Sequence, residues 1–287
     1  MPNVIWSLLN IPQKTINTET RKTTVSRIIA VANQKGGVGK TTTSVNLSAS
    51  LSAIAQRVLL IDLDPQGNAT MGSGIIKDEA EYTAYDLLLE EQKCTDIICK
   101  TPEAGYDLIP SNGDLTAAEV TLMDRKSREL KLKNQLASVS KNYDFIIIDC
   151  PPSLNMLTLN ALVAAHGVCI PMQCEYYALE GLTALLNTIE MVRERLNPEL
   201  AIEGLLRTMF DQRNRLANDV SAQLSQHFMD KLYQTIIPRN VRLAEAPSHG
   251  LPITLYEKSS KGSLAYMALA SEVLRQRTSH ANRATAA

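Results

Sequence analysis

A glycine-rich segment at residues 33–43, NQKGGVGKTTT, carries the residue types that bind phosphate. It follows a short apolar run and precedes a segment with leucines at helical spacing, so it is expected between a strand and a helix. There, backbone N–H groups and the helix N-terminus can cradle phosphate oxygens. Lys35 and Lys40 flank this loop, and such concentrated positive charge favours a polyanion between them. Gln34 stands where the usual phosphate-loop pattern has glycine.

Two further segments place carboxylates at the ends of predicted strands. The segment LLIDLDPQGNAT contains Asp62 and Asp64, and YDFIIIDCPPS ends its apolar run at Asp149. Ligands of open α/β sheets bind at the carboxyl ends of strands, and an aspartate there can meet Mg²⁺, usually through water. The alternative for Asp62 and Asp64 is that they only begin a loop through side-chain hydrogen bonds.

The predicted site residues need a fold that brings the ends of several strands together, and the sequence indicates such a fold. Apolar runs rich in β-branched residues alternate with helical patterns. The runs occupy residues 27–33, 58–62, 107–110, 145–149 and 168–172, with further candidates near Leu205 and Ile236. Such strands are buried on both sides, so we expect an α/β fold: a doubly wound, mostly parallel sheet with helices on both faces. We expect this domain at residues 27–277, a flexible N-terminal extension at 1–26 and a polar tail at 278–287.

Composition limits the classes of function. The chain has 287 residues, is 45% hydrophobic and carries a formal charge of −1, so we expect one large core and only a local surface for DNA. No apolar run reaches the length of about 18 residues that a membrane span needs, and no secretory signal is evident, which indicates a cytoplasmic protein. Five scattered cysteines indicate reduced, packed thiols, since no pair has zinc-like spacing.

The KGGVGKTT arrangement resembles the deviant Walker A motif of the ParA/MinD ATPases, and the resemblance to ParA/Soj partition proteins extends from Arg27 to about Arg277. It implies that Lys40 holds the β- and γ-phosphates of ATP and that Lys35 reaches the nucleotide of a facing subunit. The implied nucleotide-binding set is Lys35, Gly36, Gly37, Val38, Gly39, Lys40, Thr41 and Thr42.

The same resemblance assigns the acids. Asp64 positions the attacking water, Thr41 and Asp149 meet Mg²⁺, and Asp62 supports the loop or the metal. Asp64, Lys35 and Lys40 are thus the residues expected to act in hydrolysis.

A second resemblance lies in the far half of the chain. The segment IIPRNVRLAEAPSHG matches a ParA/Soj stretch, which implies that Pro238 and Asn240 lie against adenine and that Arg242 and Arg213 contact DNA phosphates. Between residues 207 and 261 there are eight basic and five acidic residues, a modest local excess. Contacts with phosphates carry no sequence information, so binding to DNA is expected to be nonspecific and salt-sensitive.

The resemblance therefore implies a slow, Mg²⁺-dependent ATP hydrolase that forms an ATP-dependent homodimer on the nucleoid. The dimer binds nonspecific DNA and releases it on hydrolysis, stimulated by a ParB-like protein, and so drives chromosome or plasmid partitioning. The polar ending RQRTSHANRATAA disfavours the alternative of a MinD-like membrane ATPase.

Two further hypotheses stay open for the nucleotide site: a related ATPase that positions a protein assembly, and a scaffold that binds nucleotide without turnover. The cysteine spacings disfavour a reductase with a bridging cluster. His249, in a loop between Ser248 and Gly250, is expected to be structural. The apolar patch at residues 4–11 could form an amphipathic anchor, although a flexible tail or a misplaced start codon explains it more simply.

Overall fold

The computed structural model describes residues 26–176 and 178–286. The apolar patch at residues 4–11 and nearly all of the expected extension lie outside the described residues. The strands are β1 (Arg27–Val31), β2 (Val58–Asp62), β3 (Cys99–Lys100), β4 (Asp107–Ile109), β5 (Phe145–Asp149), β6 (Gly167–Gln173), β7 (Ala201–Phe210) and β8 (Leu232–Pro238). The α-helices are α1 (Lys40–Ala53), α2 (Asn68–Gly72), α3 (Ala84–Leu89), α4 (Cys94–Ile97), α5 (Leu115–Met123), α6 (Lys131–Leu136), α7 (Met156–Ala164), α8 (Ala178–Arg195), α9 (Arg215–His227), α10 (Val241–Glu245), α11 (Ile253–Tyr256) and α12 (Lys261–Ala286).

The eight strands form one sheet in the order β3-β4-β2-β5-β1-β6-β7-β8. Neighbouring strands are parallel except β3 and β4. The strands β2, β3 and β4 lie on one side of β1 and the strands β6, β7 and β8 lie on the other, so the chain winds outward in both directions. The doubly wound, mostly parallel α/β fold is confirmed.

Side chains of the central strands alternate between two hydrophobic cores, one on each face of the sheet. In β5, Ile146 and Ile148 belong to one core and Phe145 and Ile147 to the other. Every residue of β2 and β5 is buried, and each large apolar side chain so buried contributes about 1.5–3 kcal/mol. The five cysteines are free thiols, four of them buried, in keeping with the packing role that the sequence predicts.

Strand register brings the predicted site residues to one edge of the sheet. Asp149, the last residue of β5, pairs with Val31 on β1 and with Asp62 on β2. The phosphate loop continues from β1, and α1 begins at Lys40. Apolar packing of three central strands therefore fixes where the loop and the acids meet.

The last helix, α12, continues to Ala286, past residue 277, where the sequence places the start of a polar tail. Within residues 26–176 and 178–286, no helix is both long and apolar enough to cross a membrane.

Candidate nucleotide site

Side-chain hydrogen bonds connect both ends of the glycine loop to the sheet. Asn33 Nδ2 donates to the carbonyl of Pro171 on β6 at 2.8 Å, while Asn33 Oδ1 accepts from Lys35 N at 3.0 Å. Towards the C-terminal end of the loop, Thr208 Oγ1 on β7 donates to the carbonyl of Val38 at 2.8 Å. These hydrogen bonds to two strands fix the backbone of the loop, so its conformation is formed before a ligand binds.

Two glycines in the loop adopt the left-handed conformation that other residues rarely accept. Gly37 has φ +71° and Gly39 has φ +87°. A Cβ placed on Gly36 or Gly37 would meet no atom within 4 Å, so this side of the loop faces open space. Backbone amides of a glycine loop with open space beside it can bind phosphate oxygens.

Lys40 is buried beneath the loop, with 6% of its surface exposed. Its Nζ donates to the carbonyl of Lys35 at 3.2 Å. Burial lowers the pKa of Lys40, while the charges of Asp149, Cys150 and Asp64 raise it. A bound anion would stabilise the protonated form of this poorly hydrated ammonium. Lys40 is therefore suited to an anionic ligand.

Lys35 lies on the outer side of the loop and forms an ion pair with Glu175, which follows β6. Their side chains are 43% and 51% exposed, so solvent weakens the attraction. Glu175 was not predicted from the sequence, because Lys35 and Glu175 lie far apart in the chain and no local sequence pattern connects them.

Asp149 is buried and accepts two hydroxyl hydrogen bonds from α1. Thr41 Oγ1 donates to Oδ2 and Ser44 Oγ donates to Oδ1, each at 2.8 Å. Burial and the nearby Asp62 raise the pKa of Asp149, because an ionised carboxylate lacks water and meets a like charge there. Ser44 was not predicted, although it lies three residues after Thr41, on the same helix face.

Asp62 is also fully buried, and both of its oxygens are engaged within the protein. Thr70 donates to Oδ2 from its backbone N and from its Oγ1, each at 2.8 Å, and Asp64 N donates to Oδ1 at 3.1 Å. Burial raises the pKa of Asp62, and these hydrogen bonds oppose the rise. The geometry supports a role in shaping the loop that carries Asp64.

Asp64 follows β2 by two residues and is 9% exposed. Its Oδ1 accepts from Gln66 N at 3.0 Å, and its backbone carbonyl accepts from Ser111 Oγ at 2.9 Å. No bond to Oδ2 is found among the described residues. The backbone is thus fixed while one carboxylate oxygen remains available.

The residues suggested for adenine lie where β8 ends. Pro238 pairs with Phe210 of β7, and the Oδ1 of Asn240 accepts from Arg242 N at 2.9 Å at the start of α10. Between them, Arg239 lines a cavity of about 260 Å³ with Met209 and Glu175, beside the glycine loop. Arg239 was not predicted as a site residue, and it lines this cavity together with Glu175, the ion-pair partner of Lys35.

The two arginines suggested for DNA lie after β7 and β8, and each is paired with an acid. The Arg213 guanidinium forms two hydrogen bonds with Asp211, at 3.0 and 2.8 Å, and Arg242 Nη1 contacts Glu245 at 2.7 Å. The Arg213 guanidinium lowers the pKa of Asp211 to about 2. Both pairs are solvent-exposed, so a phosphate can compete for the arginines.

Oxygen donors suited to Mg²⁺ lie at the end of β5. Among the described residues, no cluster of three or more His, Cys, Asp or Glu could hold a metal alone. Mg²⁺ commonly binds one or two protein oxygens together with phosphates and water. The Thr41 hydroxyl and the buried Asp149 carboxylate fit that pattern.

Comparison with known proteins identifies the family. A model described as an AAA domain matches residues 26–202. The Bacillus subtilis sporulation initiation inhibitor protein Soj is 55% identical over 249 residues, covering 87% of this chain and 98% of Soj. The chain belongs to the ParA/Soj family.

A second relative and a solved structure are also similar to this ParA/Soj chain. The chromosome partitioning protein ParA of Myxococcus xanthus is 49% identical, covering 89% of this chain and 90% of that protein. The crystal structure of cobyrinic acid a,c-diamide synthase from Mycobacterium smegmatis with bound ATP analog and magnesium superposes with TM-score 0.78 at 39% identity, covering 89% of this chain and 97% of that chain.

Proposed function

We propose that the chain binds ATP with Mg²⁺ at residues 35–42 and hydrolyses it. The observation that carries this is the buried Lys40, whose Nζ lies on the loop carbonyl of Lys35 next to the Thr41–Asp149 pair. An ammonium, an open backbone cradle and hard oxygen donors at one strand edge are what a nucleoside triphosphate with its metal requires. The ATP analog and magnesium in the M. smegmatis structure support the same ligands for this fold.

The roles of the acids follow from their hydrogen bonds. Thr41 and Asp149 would hold Mg²⁺, Asp149 through water, and the cation would neutralise charge on the transferred phosphoryl group. Asp62 acts through the loop, because both of its oxygens are occupied. Asp64 positions the attacking water with its available oxygen, so the chain contributes orientation and charge without a covalent intermediate.

ATP also controls assembly in this proposal. Lys35 lies on the exposed side of the loop and reaches the phosphates of a facing subunit when two subunits close face to face. Such a contact stabilises the dimer only when ATP supplies the anion. Pro238 and Asn240 lie against the adenine on the flank of the same loop.

DNA binding is assigned to the surface after β7 and β8. Arg213 and Arg242 exchange their exposed acidic partners for DNA phosphates, and dimerisation doubles the number of contacts. Binding is nonspecific, and hydrolysis ends it. In the cell the protein acts in the cytoplasm on the nucleoid, where a ParB-like protein accelerates hydrolysis and a chromosome or plasmid is partitioned. The names Soj and ParA of its relatives support this assignment.

Retention on DNA tests the proposal directly. Purified protein is passed over immobilised nonspecific DNA with ATP, with ADP and without nucleotide, at two salt concentrations. We expect retention only with ATP, falling about tenfold or more when salt is raised fourfold, since each neutralised phosphate releases counterions. Nucleotide binding without retention in any state would contradict the DNA switch and favour a membrane or protein target.

Replacing Arg242 by glutamate separates DNA contact from assembly. We expect Arg242→Glu to keep the ATP-dependent dimer, because residue 242 is solvent-exposed, and to weaken DNA retention about tenfold or more through reduced attraction and added repulsion. Sedimentation measures the dimer, and the same column measures retention.

The matched control for this change is Arg193→Glu. Arg193 also pairs with a glutamate three residues away, on α8, and has similar exposure. It should leave retention unchanged within about twofold. Loss of the dimer in Arg242→Glu, or equal loss of retention in the control, would contradict the assignment of Arg242.

A further inference from the structure

Hydrogen bonds join the helix that follows the glycine loop to the short helix α11. Asn46, on α1 and 4% exposed, donates from Nδ2 to the carbonyl of Thr42 at 2.8 Å. Its Oδ1 accepts from the backbone N of Ile253 at 2.7 Å, although these two residues are 207 apart in the chain. Ile253 is the first residue of α11 and is buried. The start of α11 is therefore held directly by α1.

Tyr256, the last residue of α11, extends this connection to Glu245. Tyr256 N donates to the carbonyl of Pro252 at 3.0 Å, so both ends of the turn are joined by a backbone hydrogen bond. The Tyr256 hydroxyl donates to Glu245 Oε2 at 3.3 Å. Its ring stacks on His249 with 4.8 Å between the ring centres. A displacement of α11 is therefore transmitted to the Glu245 carboxylate.

Glu245 Oε2 is also the atom that Arg242 contacts, at 2.7 Å. One carboxylate oxygen thus accepts hydrogen bonds from both Tyr256 and Arg242. The Arg242 and Glu245 side chains are 55% and 38% exposed, so their ion pair is weak and a small shift of the carboxylate can break it. While the pair is intact, a DNA phosphate must displace the carboxylate. Glu245 therefore opposes the DNA contact proposed for Arg242.

A cavity leaves room for this part of the chain to shift. It has a volume of about 430 Å³ and lies between α1 and the loop that joins α10 to α11. Thr42 and Asn46 line it on the α1 side, and Pro247, Ser248 and Leu251 line it on the loop side. Side chains that border open space are not close-packed there, so the loop can approach α1 without steric conflict.

We infer that Asn46 and Tyr256 are positioning residues that couple the nucleotide site to Arg242. ATP at the glycine loop shifts the first turns of α1, and Asn46 moves α11 with them. The Tyr256 hydroxyl then draws Glu245 away from Arg242, which becomes free to meet a DNA phosphate. This coupling rests on the proposed binding of ATP and DNA. It acts within one subunit, in addition to the doubling of contacts by dimerisation.

Tyr256→Phe tests the last step, because it removes the hydroxyl and keeps the ring that stacks on His249. Affinity for a fluorescein-labelled nonspecific DNA duplex is measured by anisotropy. With a non-hydrolysable ATP analogue we expect affinity to fall about threefold to fivefold, the contribution of one exposed ion pair. Affinity without nucleotide, and the nucleotide-dependent dimer measured by sedimentation, should be unchanged.

The control for this change is Tyr143→Phe. It removes a tyrosine hydroxyl that donates to Asp107 Oδ2 at 2.7 Å, near the amino ends of the strands. It should alter neither DNA affinity nor the dimer. An equal loss of DNA affinity in this control would contradict the role of Tyr256.

Glu245→Gln tests whether Tyr256 acts through the carboxylate. DNA affinity should rise about threefold to fivefold without nucleotide, and less with the ATP analogue, because Arg242 is then already free. Tyr256→Phe added to Glu245→Gln should have no further effect, since the two changes act on one contact. Glu190→Gln breaks the similar pair with Arg193 and should change affinity by less than about twofold. A full effect of Tyr256→Phe in the Glu245→Gln background would overturn the coupling.

Asn46→Ala tests the first step. It removes the bond to Ile253 N and should reduce DNA affinity with the ATP analogue as much as Tyr256→Phe does. The thermal unfolding midpoint shows whether this variant folds, because a buried N–H loses its partner. Folded Asn46→Ala with the DNA affinity of the unaltered protein would overturn the role of Asn46. Tyr256→Phe and Glu245→Gln decide the coupling if Asn46→Ala does not fold.

Labelling of arginine separates the coupling from DNA binding. Phenylglyoxal modifies accessible guanidinium groups, and mass spectrometry gives the rate at Arg242 with no DNA present. The rate should rise severalfold with the ATP analogue in the unaltered protein and not in Tyr256→Phe, while the rate at Arg193 stays constant. A constant rate at Arg242 despite bound nucleotide would overturn the coupling. Unaltered protein that binds no DNA in any state would instead count against the proposed function, and the labelling result would still stand.

Discussion

Lys40→Ala is expected to weaken ATP binding by about a hundredfold or more. The ammonium is buried under the glycine loop, and truncating one partner of a desolvated charge pair costs about 2–5 kcal/mol. Equilibrium binding of a fluorescent ATP analogue measures the loss. Because hydrolysis, dimerisation and DNA retention all depend on the nucleotide in this proposal, all three should fail together.

The fold itself should survive this substitution. Among the described residues, the Lys40 ammonium makes one hydrogen bond, and removing a buried charge also removes its desolvation cost. The thermal unfolding midpoint should therefore stay close to that of the unaltered protein. Lys141→Ala, at an exposed position away from the loop, is the control and should bind ATP normally. Normal ATP binding by Lys40→Ala would contradict the assigned phosphate site.

Asp64→Ala should separate binding from hydrolysis. We expect ATP affinity to be little changed and the hydrolysis rate to fall about a hundredfold or more, since a positioned general base or water-orienting group contributes about that much. The variant should dimerise with ATP and remain on DNA longer than the unaltered protein. Phosphate release and the time course of release from DNA measure these two effects.

Asp64→Asn shows whether the charge of Asp64 matters or only its place in the loop. Asparagine can still accept the hydrogen bond from Gln66 N through Oδ1, so the turn is preserved. If the carboxylate orients water, the asparagine variant is as inactive as the alanine variant. Hydrolysis at the unaltered rate by Asp64→Ala would refute the catalytic assignment.

The central strands could be predicted because burial on both faces imposes a sequence pattern. The runs at residues 58–62 and 145–149 coincide with β2 and β5, and the other predicted runs differ from their strands by one or two residues at the ends. Strand β3 was missed, since two residues at a sheet edge leave no periodic signal.

The candidate site was predicted where its signal is local and missed where it is not. The glycine loop and its lysines are recognisable from spacing alone. Ser44 and Asp149 are 105 residues apart in the chain, and Lys35 and Glu175 are 140 apart, so only the folded structure shows these contacts. Arg213 and Arg242 were predicted from local charge and resemblance, which did not show that Asp211 and Glu245 already hold them.

The ion pair between Lys35 and Glu175 sets a threshold for assembly if Lys35 acts across subunits. The lysine must leave one anion before it meets another, so the dimer gains only the difference between the two attractions. An exposed pair is worth about 1 kcal/mol or less, which the triply phosphorylated end of ATP can exceed. A weaker anion on the facing subunit would provide nearly the same energy as the pair that was broken. The weak Lys35–Glu175 pair thus makes dimerisation selective for the nucleotide. Only a nucleotide whose phosphates reach Lys35 of the facing subunit stabilises the dimer.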